Sequence, residues 1–223
     1  MELKLSIAID GPAGAGKSTI AKILAKEFNL MYINTGAMYR AVTLKAMEKN
    51  ISHDNIEELL QLIDTMEMRF ENDDLYLNNE NINDEICMPL ISNNVSNYAA
   101  ISEVREKLVN LQRNMSDKYN VVMDGRDIGT VVLSNAPIKF YLTASPETRA
   151  KRRYDELSGK GINVNYEEIL SDIIKRDYID SHREVNPLTK AEDAIEIDCS
   201  EMTINEVIEK MSCYVKRYLK EKN

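Results

Sequence analysis

Few residues in this chain are suited to chelating a metal, crossing a membrane or coating a nucleic acid. Its 223 residues include two histidines and three cysteines. Cys87, Cys199 and Cys213 are far apart, odd in number and form no C-x-x-C pair, a spacing that argues against a zinc site. They read instead as small buried hydrophobes in a reducing cytoplasm. His53 and His182 are unpaired, lie among charged residues and read as surface positions. No stretch approaches the roughly 18 uninterrupted apolar residues of a membrane span. The first residues run straight into a strand pattern, so no secretory signal is expected. Positive charge is also scarce: 28 Lys and Arg stand against 37 Asp and Glu, a net charge of −9. That deficit argues against wholesale nucleic-acid binding but leaves room for a local basic cleft.

The remaining composition is ordinary for a globular protein, with 43% hydrophobic and 29% charged residues. The length suits one well-buried α/β core with small excursions. Residues 11–18 read Gly-Pro-Ala-Gly-Ala-Gly-Lys-Ser, a complete G-x-x-x-x-G-K-[ST] loop. It follows the apolar run Leu5–Ile9 and opens a helical pattern. The four fixed positions would coincide by chance in only about one such chain in a hundred at background usage. Gly11, Gly14 and Gly16 allow conformations in which successive N–H groups turn inward as an anion nest. The helix start adds its partial positive charge there. This context assigns a nucleotide triphosphate to Gly11, Pro12, Ala13, Gly14, Ala15, Gly16, Lys17, Ser18 and Thr19. Lys17 would reach the β- and γ-phosphates, and the Ser18 hydroxyl would sit on Mg²⁺.

Five apolar runs alternate with helical patterns: Leu3–Ile9, Met31–Ile33, Val121–Met123, Ile138–Leu142 and Ala194–Ile197. Helices are expected at Lys17–Phe28, Ala37–Lys49, Asn55–Met66, Val104–Ser116, Pro146–Leu157, Tyr166–Asp180 and Thr203–Lys220. Alternation of this kind predicts an α/β fold, a doubly wound five-stranded parallel sheet with ligands at the carboxyl ends of its strands. Two segments break it. Residues 68–82 have period-two apolar spacing around an Asn-Asp-Asp turn and read as a hairpin in an inserted subdomain. Residues 148–164 carry Arg149, Lys151, Arg152 and Arg153, then the flexible Ser158-Gly159-Lys160-Gly161.

A kinase needs a second anion site, made of arginines, facing the phosphate loop. Asn34-Thr35-Gly36-Ala37-Met38-Tyr39-Arg40 follows the second run, and Asp124-Gly125-Arg126-Asp127-Ile128-Gly129-Thr130 follows the third. Arg176, Asp180 and Arg183, at i, i+4 and i+7, share one helix face. Each segment alone is compatible with a solvated surface; together, several at strand ends, they point to a second substrate.

In order, G-P-A-G-A-G-K-S-T, T-G-A-M-Y-R, D-G-R-D-I-G-T-V-V and an R-x-x-x-D-x-x-R helix resemble the bacterial cytidylate kinases, from about Ile7 to the C-terminal helix. The resemblance implies transfer of a phosphoryl group from ATP to CMP or dCMP with Mg²⁺, the small-molecule substrates being ATP and the monophosphate. It implies that Arg40, Arg126 and Arg183 clamp the CMP phosphate, while Ser96, Arg105 and Asp124 read the cytosine edge. Arg176 and Asp180 would hold the ribose, Thr35 would line the pocket and Tyr39 would pack along the nucleotide. Arg149, Arg152 and Arg153 would reach the ATP phosphates from a mobile lid, with Lys17, Arg126, Arg183, Arg152 and Arg153 nearest the transferred group. One domain spanning residues 1–223 is expected, with a monophosphate-binding insert at about 36–103 and a lid at about 148–164. A cytoplasmic monomer without nucleic-acid or membrane partners completes the expectation. Asn34 departs from the resemblance, since an aspartate often precedes the T-G-A motif. Kinases for UMP, AMP or shikimate, and a nucleotide-dependent switch, remain the alternatives.

Overall fold

Five short runs rich in Val, Ile and other apolar residues form one parallel sheet in a computed structural model that describes residues 4–222. They are β1 (Ser6–Asp10), β2 (Met31–Asn34), β6 (Val121–Gly125), β7 (Ile138–Thr143) and β8 (Ile195–Asp198), in the order β2-β6-β1-β7-β8. Every neighbouring pair is parallel, with Ile9 opposite Asp124 and Asp10 opposite Gly125. The expected first strand begins at Leu3, which lies outside the described residues.

Alternate residues of the sheet enter two cores, as the two-residue period of a strand requires. Ile7, Ile9, Phe140 and Leu142 pack with Ile20 and Leu24 of α1 (Lys17–Phe28) and Met211 and Val215 of α9 (Ile204–Lys222). Ala8, Ile33 and Met123 face Met38 and Val42 of α2 (Thr35–Glu48), Leu59 of α3 (Ile56–Asp64), and Val104 and Leu108 of α6 (Ser102–Ser116). Covered on both faces, such strands tolerate near-continuous apolar sequence.

The period-two stretch forms β3 (Met68–Glu71) and β4 (Asp74–Leu77), joined by an antiparallel third strand, β5 (Glu80–Asn81). Asn72 and Asp73 in one turn, and Asn78 and Asn79 in the next, all have positive φ. Two-residue turns of that kind match strand twist, and Asn and Asp tolerate them best after glycine. Helices α4 (Asn83–Ile86) and α5 (Pro89–Ala99) follow and were not expected. Pro89 starts α5 and Ile91, Val95 and Tyr98 form its buried stripe, but Ser and Asn between them dilute the periodicity. A π-helix at Ile128–Val132 follows β6 and was equally hidden. Helices α7 (Pro146–Gly159) and α8 (Tyr166–His182) pack together, capped by the side chains of Ser145 and Asn165.

One expectation for the cysteines fails: Cys199 is buried, but Cys87 and Cys213 are exposed. Both histidines are exposed. Among the described residues, no helix is long and apolar enough to cross a membrane.

Candidate active site

Parallel strands place their carboxyl ends on one edge, and the singled-out motifs open from that edge. Gly11 leaves β1 at φ +147°, and a Cβ there would lie 1.9 Å from the Leu142 carbonyl oxygen, so the tight departure requires glycine. Gly16 ends the loop in a left-handed conformation and caps α1 with no side-chain acceptor. No acidic residue stands in that first turn. The first N–H groups of α1 are therefore open to an anion. Lys17 is buried and donates from Nζ to the carbonyls of Gly11 and Pro12, both at 2.8 Å. Burial and the nearby Arg126 push its ammonium well below the usual lysine range, with Asp124 opposing them. An incoming phosphate would supply the counter-charge the lysine lacks.

Across a shared cleft lie Asn34, Thr35, Tyr39 and Arg40 of the β2–α2 connection, Asp124 to Asp127 after β6, and Arg176, Asp180 and Arg183 at the end of α8. Ser96 and Arg105 from α5 and α6 complete that wall, while Ala13, Gly14, Lys17 and Ser18 form the opposite one. The lining holds six cationic side chains, Lys17, Arg40, Arg105, Arg126, Arg176 and Arg183, against three carboxylates. A chain of net charge −9 thus concentrates positive charge in its cleft.

Several of these side chains keep one polar atom without a partner. Tyr39 Oη, Arg40 Nε, Arg105 Nε, Arg176 Nε and Arg183 Nη2 are buried with no hydrogen bond. Buried polar atoms normally find partners, so a cluster of unpartnered donors around one cleft marks a polar ligand site. Burial lowers the Arg40 and Arg183 guanidiniums from their ordinary value and brings Arg176 down to about 10. For Asp180 burial acts upward, but Arg126 and Arg176 more than reverse it and hold the carboxyl low. Arg126 donates to Asp180 at 2.8 Å.

The two aspartates of D-G-R-D have different partners. Asp124 accepts from Ser18 Oγ at 3.0 Å and from Tyr32 Oη at 2.7 Å, on the triphosphate side of the cleft. Burial and Asp124 itself raise the Tyr32 phenol, so it stays protonated and donates. Asp127 instead accepts from Arg105 Nη2 and lies 3.7 Å from Arg183 Nη2, on the opposite side. Both Asp124 side-chain oxygens are thus engaged by Ser18 and Tyr32, while Asp124 still lines the cleft. Spacing alone could not separate the two aspartates, because a bend at Arg126 and Asp127, just ahead of the π-helix and invisible in the pattern, turns the chain there.

Asn34 sits at the N-cap of α2 and its Oδ1 accepts from Ala37 N at 2.9 Å. An amide oxygen performs that capping as well as a carboxylate. Thr35 donates to the Asp124 carbonyl at 2.8 Å. Tyr39 is buried, with the Arg105 guanidinium 5.2 Å from its ring centre.

None of the expected lid arginines lines the cleft. Arg149 is 3% exposed and donates to the carbonyls of Ala144 and Ala13 and to Asp177, pinning α7 to the phosphate loop. Arg152 donates to the Cys199 carbonyl at 2.7 Å. Arg153 pairs with Glu156 on its own helix, at the i,i+3 spacing that suits a surface pair. Gly11, Pro12, Ala15, Gly16 and Thr19 build the loop and the helix behind it without lining the cleft.

Comparison with known proteins agrees with this geometry. The family model described as cytidylate kinase matches residues 7–217. A cytidylate kinase of Clostridium perfringens is 67% identical over 217 residues, covering 97% of this chain and 100% of that protein. A cytidylate kinase of Clostridium acetobutylicum is 63% identical over 220 residues, covering 99% of this chain and 100% of its own. Among solved structures, an uncharacterized protein from Eubacterium ventriosum superposes with a TM-score of 0.54 at 17% identity, covering 96% of this chain and 99% of its own. A gluconokinase from Sinorhizobium meliloti gives 0.51 at 12% identity, covering 99% and 97%. These two likenesses concern the fold.

Proposed function

Because this chain belongs to the cytidylate kinase family, we propose that its cleft carries phosphoryl transfer from ATP to CMP or dCMP, with the two half-sites in the roles their chemistry suits. The family makes it an ATP-dependent phosphotransferase. The observation that carries the residue assignments is the pairing, in one cleft, of an uncapped helix start with a cluster of arginines, four of which keep a buried nitrogen without a hydrogen bond.

The loop wall holds the triphosphate through the N–H groups of α1 and Lys17. Arg40, Arg126 and Arg183 hold the monophosphate, the forked guanidinium fitting two oxygens at once. A phosphate oxygen of CMP attacks the γ-phosphorus of ATP; that P–O bond forms as the bond to the β-phosphate oxygen breaks, leaving CDP and ADP. The attacking monoester is already ionised at neutral pH, so no side chain need remove a proton. Catalysis rests on alignment and on cations around the transferred group.

Asp127, with Arg105 and Ser96, supplies an acceptor and donors for the cytosine edge, while Asp124, engaged by Ser18 and Tyr32, serves the triphosphate side. Asp180 and Arg176 lie where a ribose would rest. Mg²⁺ fits the oxygen pair of Ser18 and Asp124, since this small cation takes a few protein oxygens together with phosphate oxygens and water. It would neutralise charge on the triphosphate. Residues 36–103 act as the acceptor-binding insert, and α7 with the following loop as the lid, whose arginines would have to leave their present partners to reach a phosphate. Both half-sites come from one chain, so a monomer suffices, working on the nucleotides of the cytoplasm.

A substrate profile tests the reading. With ATP and Mg²⁺ present, CMP should be phosphorylated far faster than AMP or GMP. Equal rates on AMP would exclude the cytosine assignment.

A further inference from the structure

The last residue of β1 is Asp10, 3% exposed and just ahead of the phosphate loop. Its carboxylate touches neither half of the cleft. Instead, Oδ1 accepts the N–H of Ile128 at 2.8 Å and Oδ2 accepts that of Gly129 at 2.7 Å. These are the first two residues of the π-helix, directly after Arg126 and Asp127. The approach is close: a Cβ on Gly129 would stand 3.2 Å from Asp10 Oδ2 and from the Lys139 side chain.

We propose that Asp10 is a positioning residue for the acceptor half of the site, fixing from the donor strand the backbone that aims Arg126 and Asp127. The inference rests on the functional reading above. An ionised carboxylate spanning two successive N–H groups caps the π-helix start as an N-cap residue caps an α-helix. It leaves the preceding residues little freedom. Asp127 in turn holds Arg105 and stands near Arg183, and Arg126 holds Asp180. One buried group thus sets two ion pairs that face the monophosphate.

The charge state of Asp10 bears on this. Burial is the main cause of a carboxyl raised to about 6, Asp127 adds to it, and the two N–H groups and Lys17 act the other way. Tyr141 of β7 also feels Asp10. Below about pH 6 the carboxyl gains a proton, and one oxygen becomes a hydroxyl that no longer serves both N–H groups. Falling pH therefore loosens the link in the wild type.

Asp10→Asn removes the charge and sets an amide NH₂ against one N–H. Gly129→Ala strains the same link from its other end while leaving the carboxyl group itself in place. Steady-state kinetics at pH 8 should show KM for CMP raised about tenfold or more in Asp10→Asn, since misplacing reacting groups by about 1 Å costs up to about a hundredfold. Gly129→Ala should shift it in the same direction by less. KM for ATP should stay within about twofold in both. The ratio of the Asp10→Asn KM to the wild-type KM should shrink as pH falls from 8 to 5.5, because only the wild type titrates there; ionisation of CMP itself cancels in the ratio. Calorimetric titration with CMP alone should reproduce the loss. Equal losses for ATP and CMP, or a CMP KM within twofold in the variants, would overturn the inference while the functional reading stood. If Asp10→Asn does not fold, Gly129→Ala decides by the same criteria. A wild type that does not turn over CMP would overturn both.

Discussion

At the residue scale, Arg183 holds its charge against burial and a neighbouring cation. Its side chain is 4% exposed, its Nε donates to the Asn186 carbonyl at 2.6 Å, and its Nη2 has no hydrogen-bond partner. Burial and the neighbouring Arg105 both press its guanidinium downward. A bound monophosphate would relieve that pressure. Arg183→Ala should therefore reduce kcat/KM for CMP by on the order of a hundredfold or more, about 3 kcal/mol, as for loss of one oxyanion donor. A change within twofold would remove it from the site. The two aspartates allow a sharper comparison. Asp124→Asn should raise the Mg²⁺ concentration needed for half-maximal rate and leave preference among monophosphates unchanged. Asp127→Asn should erode the preference for CMP over UMP and leave the Mg²⁺ requirement unchanged. The opposite pattern would return the base-reading role to Asp124.

Connections between elements carry as much of the site as the side chains do. Asn34 caps α2, and its loss to alanine should cost about 1 kcal/mol in chemical denaturation. Gly125 is less replaceable: a Cβ there would stand 2.5 Å from Thr35 Oγ1 and 2.6 Å from Ile128 Cδ1. Gly125→Ala should be the more harmful of the two, by about 1–3 kcal/mol, because the β6 end must shift against packed neighbours. A smaller loss than that of Asn34→Ala would mean that the connection yields easily. These joints also divide what could be read from the sequence. The phosphate loop and the sheet were legible because a glycine pattern and continuous apolar runs are local signals. So was the Arg176, Asp180, Arg183 face, which follows from helical spacing. The different partners of Asp124 and Asp127 were not, because they depend on a bend ahead of a π-helix held by Asp10, distant in sequence. Nor were the commitments of Arg149 and Arg152, since their carbonyl partners come from the phosphate loop and from the end of β8. A basic helix face reads alike whether its arginines bind phosphate or brace a neighbouring strand.

For the whole molecule, the cleft joins the insert to the parallel sheet, so ligand and fold should be linked. CMP at about a hundred times its dissociation constant should stabilise the protein by about 2.7 kcal/mol. For a chain of this size that corresponds to a rise in Tm of about 5–10 °C. GMP at the same concentration should leave Tm nearly unchanged, and an equal rise with both would show that the cleft reads only the phosphate.

Guanidiniums, carboxylates and hydroxyls make up most of the wall opposite the phosphate loop. A nucleotide entering that cleft meets mostly charged and hydrogen-bonding groups, with Val95, Ala99 and the Tyr39 ring as the apolar part of that wall. Competitors would gain from matching a planar, charged, hydrogen-bonding outline, whereas added hydrocarbon would find only Val95, Ala99 and the Tyr39 ring there to rest against. The same wall that selects the substrate also makes the protein a poor host for lipophilic inhibitors.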